Sequence, residues 1–322
     1  MKIIRDSDDQ RVDATVLTTG AFDGVHRGHQ QVIQEVRRRA KERQVASAVV
    51  TFDVHPATVV RPESAPKLLT TLAQKLDLLE SLEVDVVYVI EFDQDRASTT
   101  AARFVDEVFV DRLGAREVLV GADFHFGKGR EGTVSNLAEH GRSLGSDKGF
   151  TVEGIDLLQS TDAATEPISS TAIRRALDGG DVRLASEMLG RPFRIQGEVV
   201  QGDQRGRTIG FPTANVVLHD EMAHPAHGVY ACRYVGPDDR VHQAAVNVGV
   251  RPTFYESADA AVLEAHLLDF PADGESGDLY GQIGRVDFVQ FLRSERRFNG
   301  IDELSAQLAN DVEATRTVLS QI

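Results

Sequence analysis

The sequence predicts an α/β protein of two domains: a parallel sheet with helical crossovers, then a small antiparallel barrel or sandwich that ends in a helix. Three observations carry this prediction. At 322 residues the chain has room for two domains of about 150 residues each. From residue 15 to about 186, short apolar runs alternate with amphipathic stretches, as in a parallel sheet whose strands are joined by helices. After residue 191, runs of alternating polarity follow one another without helices between them, which is typical of antiparallel strands.

Apolar patterning places the elements of the first domain. The predicted strands are Thr15–Thr19, Val45–Phe52, Val84–Phe92, Glu117–Val120 and Thr151–Ile155. The predicted helices are His29–Arg43, Thr70–Ser81, Thr99–Arg112 and Val134–Leu144. Ligands of such sheets bind at the carboxyl ends of the strands, and the unusual residues of this half lie there.

The second domain is predicted to span residues 187–322, after a first domain of residues 1–186. A helical segment ends near Ser186–Pro192, and proline blocks its continuation. The predicted strands are Phe193–Val200, Gly228–Val235, His242–Asn247, Ala261–Leu268 and Gln282–Phe291. A predicted helix over Ile301–Leu319 closes the chain. The apolar side chains that tend toward one face of it are Leu304, Leu308, Val312 and Val318.

Composition and charge exclude several classes of protein. The net charge is −15, so nonspecific binding to a nucleic-acid backbone is not expected. Hydrophobic residues make up 41% of the chain, which is enough for packed cores. Cys232 is the only cysteine, which excludes an internal disulfide and a multi-cysteine zinc site. The N-terminus turns acidic where a signal peptide is apolar, and the apolar run around Val84–Ile90 is too short to span a bilayer, so we expect a cytoplasmic protein with no membrane partner.

A glycine-rich turn follows the first predicted strand and opens the first helix. Its sequence is Gly20-Ala21-Phe22-Asp23-Gly24-Val25-His26-Arg27-Gly28-His29. Glycines let backbone N–H groups approach a phosphate, and a helix N-terminus adds partial positive charge. His26 and His29 flank Gly28, so both imidazoles could face that phosphate. A capped turn with solvated imidazoles would carry the same residues.

A second segment with phosphate-binding chemistry is Ile168-Ser169-Ser170-Thr171-Ala172-Ile173-Arg174-Arg175. Ser169 or Ser170 can cap a helix and leave other hydroxyl and N–H groups for an anion. Arg174 and Arg175 fall in the first turn, where the helix dipole disfavours cations unless an anion joins them. This mismatch favours a phosphate site, and an ordinary solvated arginine pair is the alternative.

Two further loops follow predicted strands. One is Thr51-Phe52-Asp53-Val54-His55-Pro56, and the other runs from Gly121 to Gly132 with Asp123, Phe124, Phe126, Lys128 and Arg130. Aromatic rings, glycines and cations together suit a loop that touches a flat ring and phosphates. A plain glycine-rich surface loop is the alternative for each one taken alone.

These motifs together resemble the nucleotidyltransferase superfamily through the HxGH turn and the ISSTxIR segment. The versions GAFDGVHRGHQ, TFDVHP and GADFHFGKGREG resemble the FMN adenylyltransferase module of prokaryotic bifunctional riboflavin kinase/FAD synthetases, over residues 15–186. The resemblance implies a Rossmann-like nucleotidyltransferase domain that joins FMN to the α-phosphate of ATP and releases FAD and pyrophosphate. Val54 departs from the family pattern, where proline is expected, and this predicts a looser loop. The implied roles are catalysis for His26, His29 and Arg174, nucleotide binding for Gly20, Phe22, Asp23, Gly28, Ser169, Ser170 and Thr171, and flavin binding for Pro56, Asp123, Phe124 and Phe126.

The second half carries its own phosphate-binding pattern between Gly202 and Asn215. Glycines recur at steps of four, at Gly202, Gly206 and Gly210, and Arg205 and Arg207 can neutralise phosphates. In the rigid Phe-Pro-Thr-Ala-Asn segment that follows, Thr213 and Asn215 offer the hard oxygen ligands that Mg²⁺ accepts. A mobile hairpin would also fit this composition.

The Thr213 and Asn215 segment resembles the PTAN motif of riboflavin kinases, and the resemblance covers residues 191–319. It implies a small β-barrel domain that phosphorylates riboflavin to FMN with Mg²⁺ and ATP. Glu264, by itself a polar residue on a half-exposed strand, matches the catalytic glutamate of the kinases' E-x-H-L segment. Roles implied for the remaining residues are nucleotide binding for Gly202 and Arg207, metal binding for Thr213 and Asn215, and flavin binding for Asn247 and Arg293.

The expected partners are therefore riboflavin, FMN and ATP, with Mg²⁺ entering with ATP and with FMN and FAD as products. No nucleic acid or membrane is expected, and the chain is expected to be a monomer or a weak homo-oligomer. Two alternatives stay open. Only one of the two modules could be active, or the chain could be a non-catalytic regulator that binds a flavin or a nucleotide.

Overall fold

The computed structural model describes residues 1–156, 167–202, 206, 209–250, 261–270 and 279–321. The chain folds as two compact units, Met1–Ser170 and Thr171–Ile322. Within the described residues, no helix combines the length and the apolar character needed to cross a membrane.

The first unit is built on a six-stranded sheet in which every strand pairing is parallel. Its strands and a small two-stranded ladder are β1 Lys2–Arg5, β2 Thr15–Thr19, β3 Ala46–Phe52, β4 Val86–Ile90, β5 Ala115–Gly121, β6 His125–Phe126, β7 Gly132–Thr133 and β8 Thr151–Ile155. The sheet order is β1-β4-β3-β2-β5-β8, while β6 pairs with β7. The chain runs from β2 to β3 and β4 on one side and returns to β5 on the other, so the order reverses between β2 and β5. A reversal of this kind opens a crevice at the carboxyl edge of a sheet.

Helices cover this sheet, and β2 and β4 are buried along their whole length. The helices are α1 Arg27–Arg43, α2 Pro56–Val60, α3 Leu72–Ser81, α4 Gln94–Ala97, α5 Ala101–Phe104, α6 Val134–Ser143 and α7 Gly145–Lys148. Capping boxes begin α3 at Thr71 and α6 at Thr133. The helix predicted over Thr99–Arg112 is confirmed as a continuous helical segment, in which α5 passes into a π-helical stretch at Val105–Arg112.

The second unit contains a closed six-stranded barrel, which decides between the predicted barrel and sandwich. Its strands are β9 Phe193–Val200, β10 Ala214–Val217, β11 Gly228–Val235, β12 Val241–Val250, β13 Ala261–Leu267 and β14 Ile283–Arg293. The order around the barrel is β10-β13-β12-β11-β14-β9, with all pairings antiparallel, and β9 pairs with β10 to close it. The remaining helices are α8 Ser170–Asp178, α9 Val182–Leu189 and α10 Ile301–Leu319.

The closing helix α10 has the predicted bounds, but a different line of side chains is its most buried one. Asp311, Thr315 and Leu319, four residues apart, are buried. The four predicted apolar side chains, Leu304, Leu308, Val312 and Val318, are half-buried. The carboxylate of Asp311 accepts two hydrogen bonds from Arg293 at the end of β14, at 2.9 and 2.7 Å. A buried ion pair therefore joins α10 to the barrel.

Candidate active sites

The turn after β2 is built around the buried carboxylate of Asp23. This carboxylate accepts hydrogen bonds from the backbone N–H groups of Leu69, at 2.9 and 3.1 Å, and of Thr70, at 3.1 Å. The backbone carbonyl of Asp23 accepts a hydrogen bond of 2.9 Å from the Ser170 hydroxyl. Two of the predicted nucleotide-binding residues are thus brought together, and the Asp23 side chain shapes the turn.

The backbone of the same turn is held in unusual conformations. Phe22 and Val25 are non-glycine residues with φ of 49° and 40°, in the left-handed region. Such conformations cost of order 1–3 kcal/mol each and persist where surrounding contacts fix them. Gly28 lies close to the second predicted phosphate-binding segment, which begins at Ile168. A Cβ added to Gly28 would lie 3.7 Å from the Ile168 carbonyl oxygen. The glycine-rich turn and the start of the Ile168 segment therefore pack together.

The two histidines of the turn are stacked on each other. Their ring centroids are 3.6 Å apart, with 17° between the planes, and Phe22 meets the His29 ring edge-on at 4.9 Å. His26 caps α1, because its Nδ1 accepts the backbone N–H of His29 at 3.3 Å. An accepting Nδ1 places the proton of the neutral ring on Nε2, which makes Nε2 a donor.

His29 is half-buried, and its pKa is shifted so that the ring stays uncharged near neutral pH. Burial, and then the charges of His26 and Lys75, hold the pKa of His29 well below its usual value. Its Nδ1 has no hydrogen-bond partner among the described residues. A buried polar atom of this kind normally has a partner, so a ligand oxygen or a water is expected to contact it.

Three predicted residues lie on α8, where Ser170 is the first residue. Thr171 is exposed and Arg174 is half-buried, while Ala172 and Ile173 between them are buried. The apolar face of α8 is therefore packed, and the polar side chains lie on its other faces.

The loop after β3 is held by its own side chains. Asp53 accepts hydrogen bonds from the N–H groups of Val54, at 2.7 Å, and Phe92, at 2.9 Å. His55 caps α2, with its Nδ1 accepting the N–H of Ala57 at 3.1 Å, and Pro56 is the first residue of that helix. Val54 is 41% exposed. Fixed contacts thus surround Val54 on both sides, although the family pattern has proline there.

The loop after β5 presents two stacked aromatic rings. The centroids of Phe124 and Phe126 are 5.3 Å apart, with planes 11° from parallel. Asp123 is exposed, and its backbone carbonyl is 2.7 Å from Nδ1 of His125. This loop lies at the carboxyl end of β5, beside the point where the strand order reverses, and its two half-buried rings pack against the core of the first unit.

Asn215, Glu264 and Asn247 lie side by side on three neighbouring barrel strands. Glu264 on β13 is directly opposite Asn215 on β10 and also directly opposite Asn247 on β12. Cross-strand neighbours point to the same side of a sheet, and the adjacent row of Val216, Leu263 and Val248 is fully buried. The row of Asn215, Glu264 and Asn247, here called the polar row, therefore lies on the outer face of the barrel.

Two close approaches shape the polar row. A Cβ added to Gly202 would lie 2.4 Å from Nδ2 of Asn215, so only glycine fits there without a shift. His266, two residues after Glu264, has its Nδ1 2.8 Å from the carbonyl oxygen of Pro212 and meets the ring of Phe211 edge-on. His266 thus anchors the segment that carries Thr213, a role that the sequence did not reveal.

Whether a metal ion fits near the polar row depends on the oxygen donors that the row and Thr213 provide. The hydroxyl of Thr213 and the amide of Asn215 are neutral oxygen donors, and the carboxylate of Glu264 lies in the same row. No group of three or more His, Cys, Asp or Glu residues that could hold a metal occurs in the described part of the chain. These donors fit Mg²⁺ that enters with a nucleotide and keeps other oxygen ligands.

Arg207 and Arg293 are two of the predicted ligand-binding arginines. Arg207, like Arg205, lies outside the described residues. Arg293 is described, and its guanidinium is bound bidentately to Asp311 and donates to the carbonyl oxygen of Ser294 at 3.0 Å. Its guanidinium therefore links α10 to the barrel, and its flavin contact stays a prediction.

Comparison with known proteins accounts for both halves of the chain. A FAD synthetase family model matches residues 8–172, and a riboflavin kinase family model matches residues 189–319. The chain is 38% identical over 299 residues to a bifunctional riboflavin kinase/FMN adenylyltransferase of Bacillus subtilis (strain 168), covering 92% of this chain and 90% of that protein. Proteins with the same description in Escherichia coli (strain K12) and Pseudomonas fluorescens are 39% and 41% identical, covering 93% and 94% of this chain and 91% and 92% of theirs.

One solved structure shares the fold over the whole chain. It has a TM-score of 0.83 and 28% sequence identity, and the match covers 98% of this chain and 99% of that one. That crystal structure is described as a macrolide-efflux protein from Streptococcus pneumoniae. The description differs from those of the curated relatives, and the likeness is one of fold.

Proposed function

Since this chain belongs to the family of bifunctional riboflavin kinase/FMN adenylyltransferases, we propose that it converts riboflavin to FAD in two successive ATP-dependent steps. The observation that carries the proposal is that each compact unit has a separate group of polar residues suited to phosphate chemistry. The stacked histidines lie in the first unit and the polar row lies in the second.

The polar row is the proposed site of riboflavin phosphorylation. The terminal hydroxyl of the ribityl chain attacks the γ-phosphate of ATP, Glu264 accepts its proton, and ADP leaves as FMN forms. Thr213 and Asn215 would hold the Mg²⁺ that enters with ATP, and its charge would be supplied at the phosphates. Gly202 lets the backbone approach Asn215 closely, Arg207 is assigned to the nucleotide phosphates, and Asn247 and Arg293 are assigned to the flavin side.

The turn after β2 is the proposed site of adenylyl transfer. The phosphate of FMN is already an anion, and it attacks the α-phosphate of ATP and displaces pyrophosphate without a protein nucleophile. Catalysis therefore consists of alignment and charge stabilisation. His26 and His29 are assigned to donate hydrogen bonds to the phosphates at this turn, and Arg174 is assigned to supply positive charge. Gly20, Phe22, Asp23 and Gly28 form the turn, the hydroxyls of Ser169, Ser170 and Thr171 bind phosphate, and Pro56, Asp123, Phe124 and Phe126 contact the flavin.

The proposal extends to the domain bounds, the cellular location and the oligomeric state. The two domains are assigned as residues 1–186 and 187–322. The enzyme acts in the cytoplasm as a monomer or weak homo-oligomer, without nucleic acid or a membrane as a partner.

Flavin chromatography of the purified chain tests the proposal. Incubation with riboflavin, Mg²⁺ and ATP is expected to give FMN first and FAD later. FMN without FAD would leave only the kinase, FAD from supplied FMN but none from riboflavin would leave only the adenylyltransferase, and bound flavin without product would favour the non-catalytic regulator.

Two variants separate the steps. We expect Glu264→Gln to lower FMN formation by roughly 10²–10⁴-fold through loss of the base, while FAD formation from supplied FMN is kept. We expect His29→Ala to lower FAD formation by roughly 10²–10³-fold through loss of a phosphate donor, while FMN still forms. Loss of both activities in either variant would contradict the assignment of one site to each unit.

A further inference from the structure

Lys75 on α3 is a buried lysine whose ammonium contacts both loops at the end of β2 and β3. Lys75 is only 7% exposed to solvent. Nζ donates to the carbonyl oxygens of Ala21, at 3.1 Å, and Phe52, at 2.8 Å, and to Oγ1 of Thr51, at 3.1 Å. An ammonium group has three N–H donors, so these three acceptors use all of them.

The three acceptors mark the place where the sheet opens. The hydrogen bond from the N–H of Gly20 to the carbonyl of Val50, at 3.1 Å, is a direct backbone link between the two segments. Just past it, Ala21 enters the glycine-rich turn and Phe52 enters the loop that leads to α2. Thr51 Oγ1 also donates to the Ala21 carbonyl at 3.2 Å. Lys75 therefore bridges the two segments where the ladder of strand bonds ends.

Replacing Lys75 with an apolar residue would remove hydrogen bonds that the buried carbonyl oxygens need. Buried carbonyl oxygens need hydrogen-bond partners, and a side chain without donors would leave the Ala21 and Phe52 carbonyls short of one. Ala21 directly precedes Phe22, which has a left-handed φ, and Phe22 packs edge-on against His29. A shift of the Ala21 backbone would therefore displace Phe22 and, with it, the stacked rings of His26 and His29.

We propose that Lys75 is a positioning residue for adenylyl transfer, whose ammonium fixes the turn that carries His26 and His29 against the end of β3. This inference rests on the proposed function of the first unit. Lys75 has no donor left for a ligand, so it acts through the turn.

The charge of Lys75 gives the bridge a pH dependence. Burial lowers the pKa of Lys75 to about 8, while the carboxylates of Asp23 and Asp53 oppose that shift. His29, which also faces it, is neutral because its own pKa is lowered. Above pH 8 the neutral amine has two N–H donors for three acceptors, so the bridge weakens as pH rises. Adenylyl transfer is then expected to fall through about pH 8.

The test compares Lys75→Met and Lys75→Arg with Lys41→Met, which removes an exposed lysine of the same unit. FAD formation from supplied FMN and riboflavin phosphorylation are measured on the same samples from pH 6.5 to 10. We expect Lys75→Met to lower kcat for FAD formation at least tenfold with KM for FMN changed less than threefold. Riboflavin phosphorylation in that variant, and both activities of Lys41→Met, are expected to stay within twofold of wild type.

The pH profile separates positioning from simple stability. An arginine does not titrate in this range, so Lys75→Arg is expected to recover part of the FAD activity and to move the alkaline fall above pH 9. Lys75→Met with full FAD activity, or an alkaline fall that stays at pH 8 in the Arg variant, would overturn the inference. If Lys75→Met does not fold, the pH profile of FAD formation by Lys75→Arg still tests the inference. Wild-type protein that makes no FAD at any pH would instead refute the proposed function.

Discussion

The ion pair between Arg293 and Asp311 is expected to control the stability of the barrel unit. Asp311 is buried on α10, and besides its two bonds from Arg293 it accepts one from Nε2 of Gln307, at 2.8 Å. Replacing Asp311 with alanine removes all three bonds. It leaves a guanidinium whose side chain is only 21% exposed without its carboxylate.

The size of the effect follows from that geometry. Removing one partner of a buried ion pair costs about 3–5 kcal/mol, because the other charge stays buried. Arg293 keeps some contact with water and a bond to the Ser294 carbonyl, so we take the lower end, about 3 kcal/mol. For a unit of roughly 150 residues, each kcal/mol shifts Tm by about 2–4 °C, which gives a fall of about 6–12 °C.

Calorimetry of the full chain measures this shift, and residual riboflavin kinase activity after stepwise heating assigns it to the barrel unit. Glu313→Ala, which removes an exposed carboxylate from the same helix, serves as the matched control and is expected to change Tm little. The double change Arg293→Met with Asp311→Leu is expected to recover much of the loss, because it leaves no buried charge unpaired. A fall below about 2 °C for Asp311→Ala would refute the view that this pair holds α10 to the barrel.

Two further predictions concern the sites themselves. Gly202→Ala is expected to lower riboflavin phosphorylation at least tenfold, because the added Cβ would lie 2.4 Å from the Asn215 amide. Gly300→Ala, whose added Cβ meets no atom within 4 Å, is expected to leave this activity unchanged. Equal activities of the two variants in a kinase assay would contradict this prediction. His29 is expected to stay neutral at pH 6.5 in the ligand-free protein, since burial lowers its pKa, and an imidazole signal in an NMR titration that moves at or above that pH would argue against it.

The sequence predicted the elements that have strong patterns. All five apolar runs of the first half are parallel strands, and the alternating runs of the second half form the barrel. β1 was not predicted, because it is a four-residue edge strand with Ile4 as its single buried side chain and so has no periodic signal. β10 was also missed, because it is four residues long and follows a proline-containing segment that suggests a loop.

For the candidate sites, too, the sequence indicated features within one short segment but not contacts between elements that are far apart in the chain. His26 and His29 belong to one helix start, where the sequence predicted that both imidazoles could face a phosphate, and the structure stacks their rings on each other. The partners of Arg293 and Lys75 lie on other elements, 18 residues away in the case of Asp311, so no local pattern identifies them. Arg293 was assigned to the flavin through the resemblance to riboflavin kinases, and neither its ion pair with Asp311 nor the bridge by Lys75 was predicted.

Mixing two inactive variants tests the central claim, that the chain contains two separate catalytic sites that act in series. Glu264→Gln and His29→Ala are each expected to make no more than traces of FAD from riboflavin, Mg²⁺ and ATP. An equimolar mixture is expected to restore FAD formation, because FMN released by the His29 variant is a substrate for the Glu264 variant. A mixture that accumulates FMN and no FAD, or that makes neither flavin, would contradict the claim.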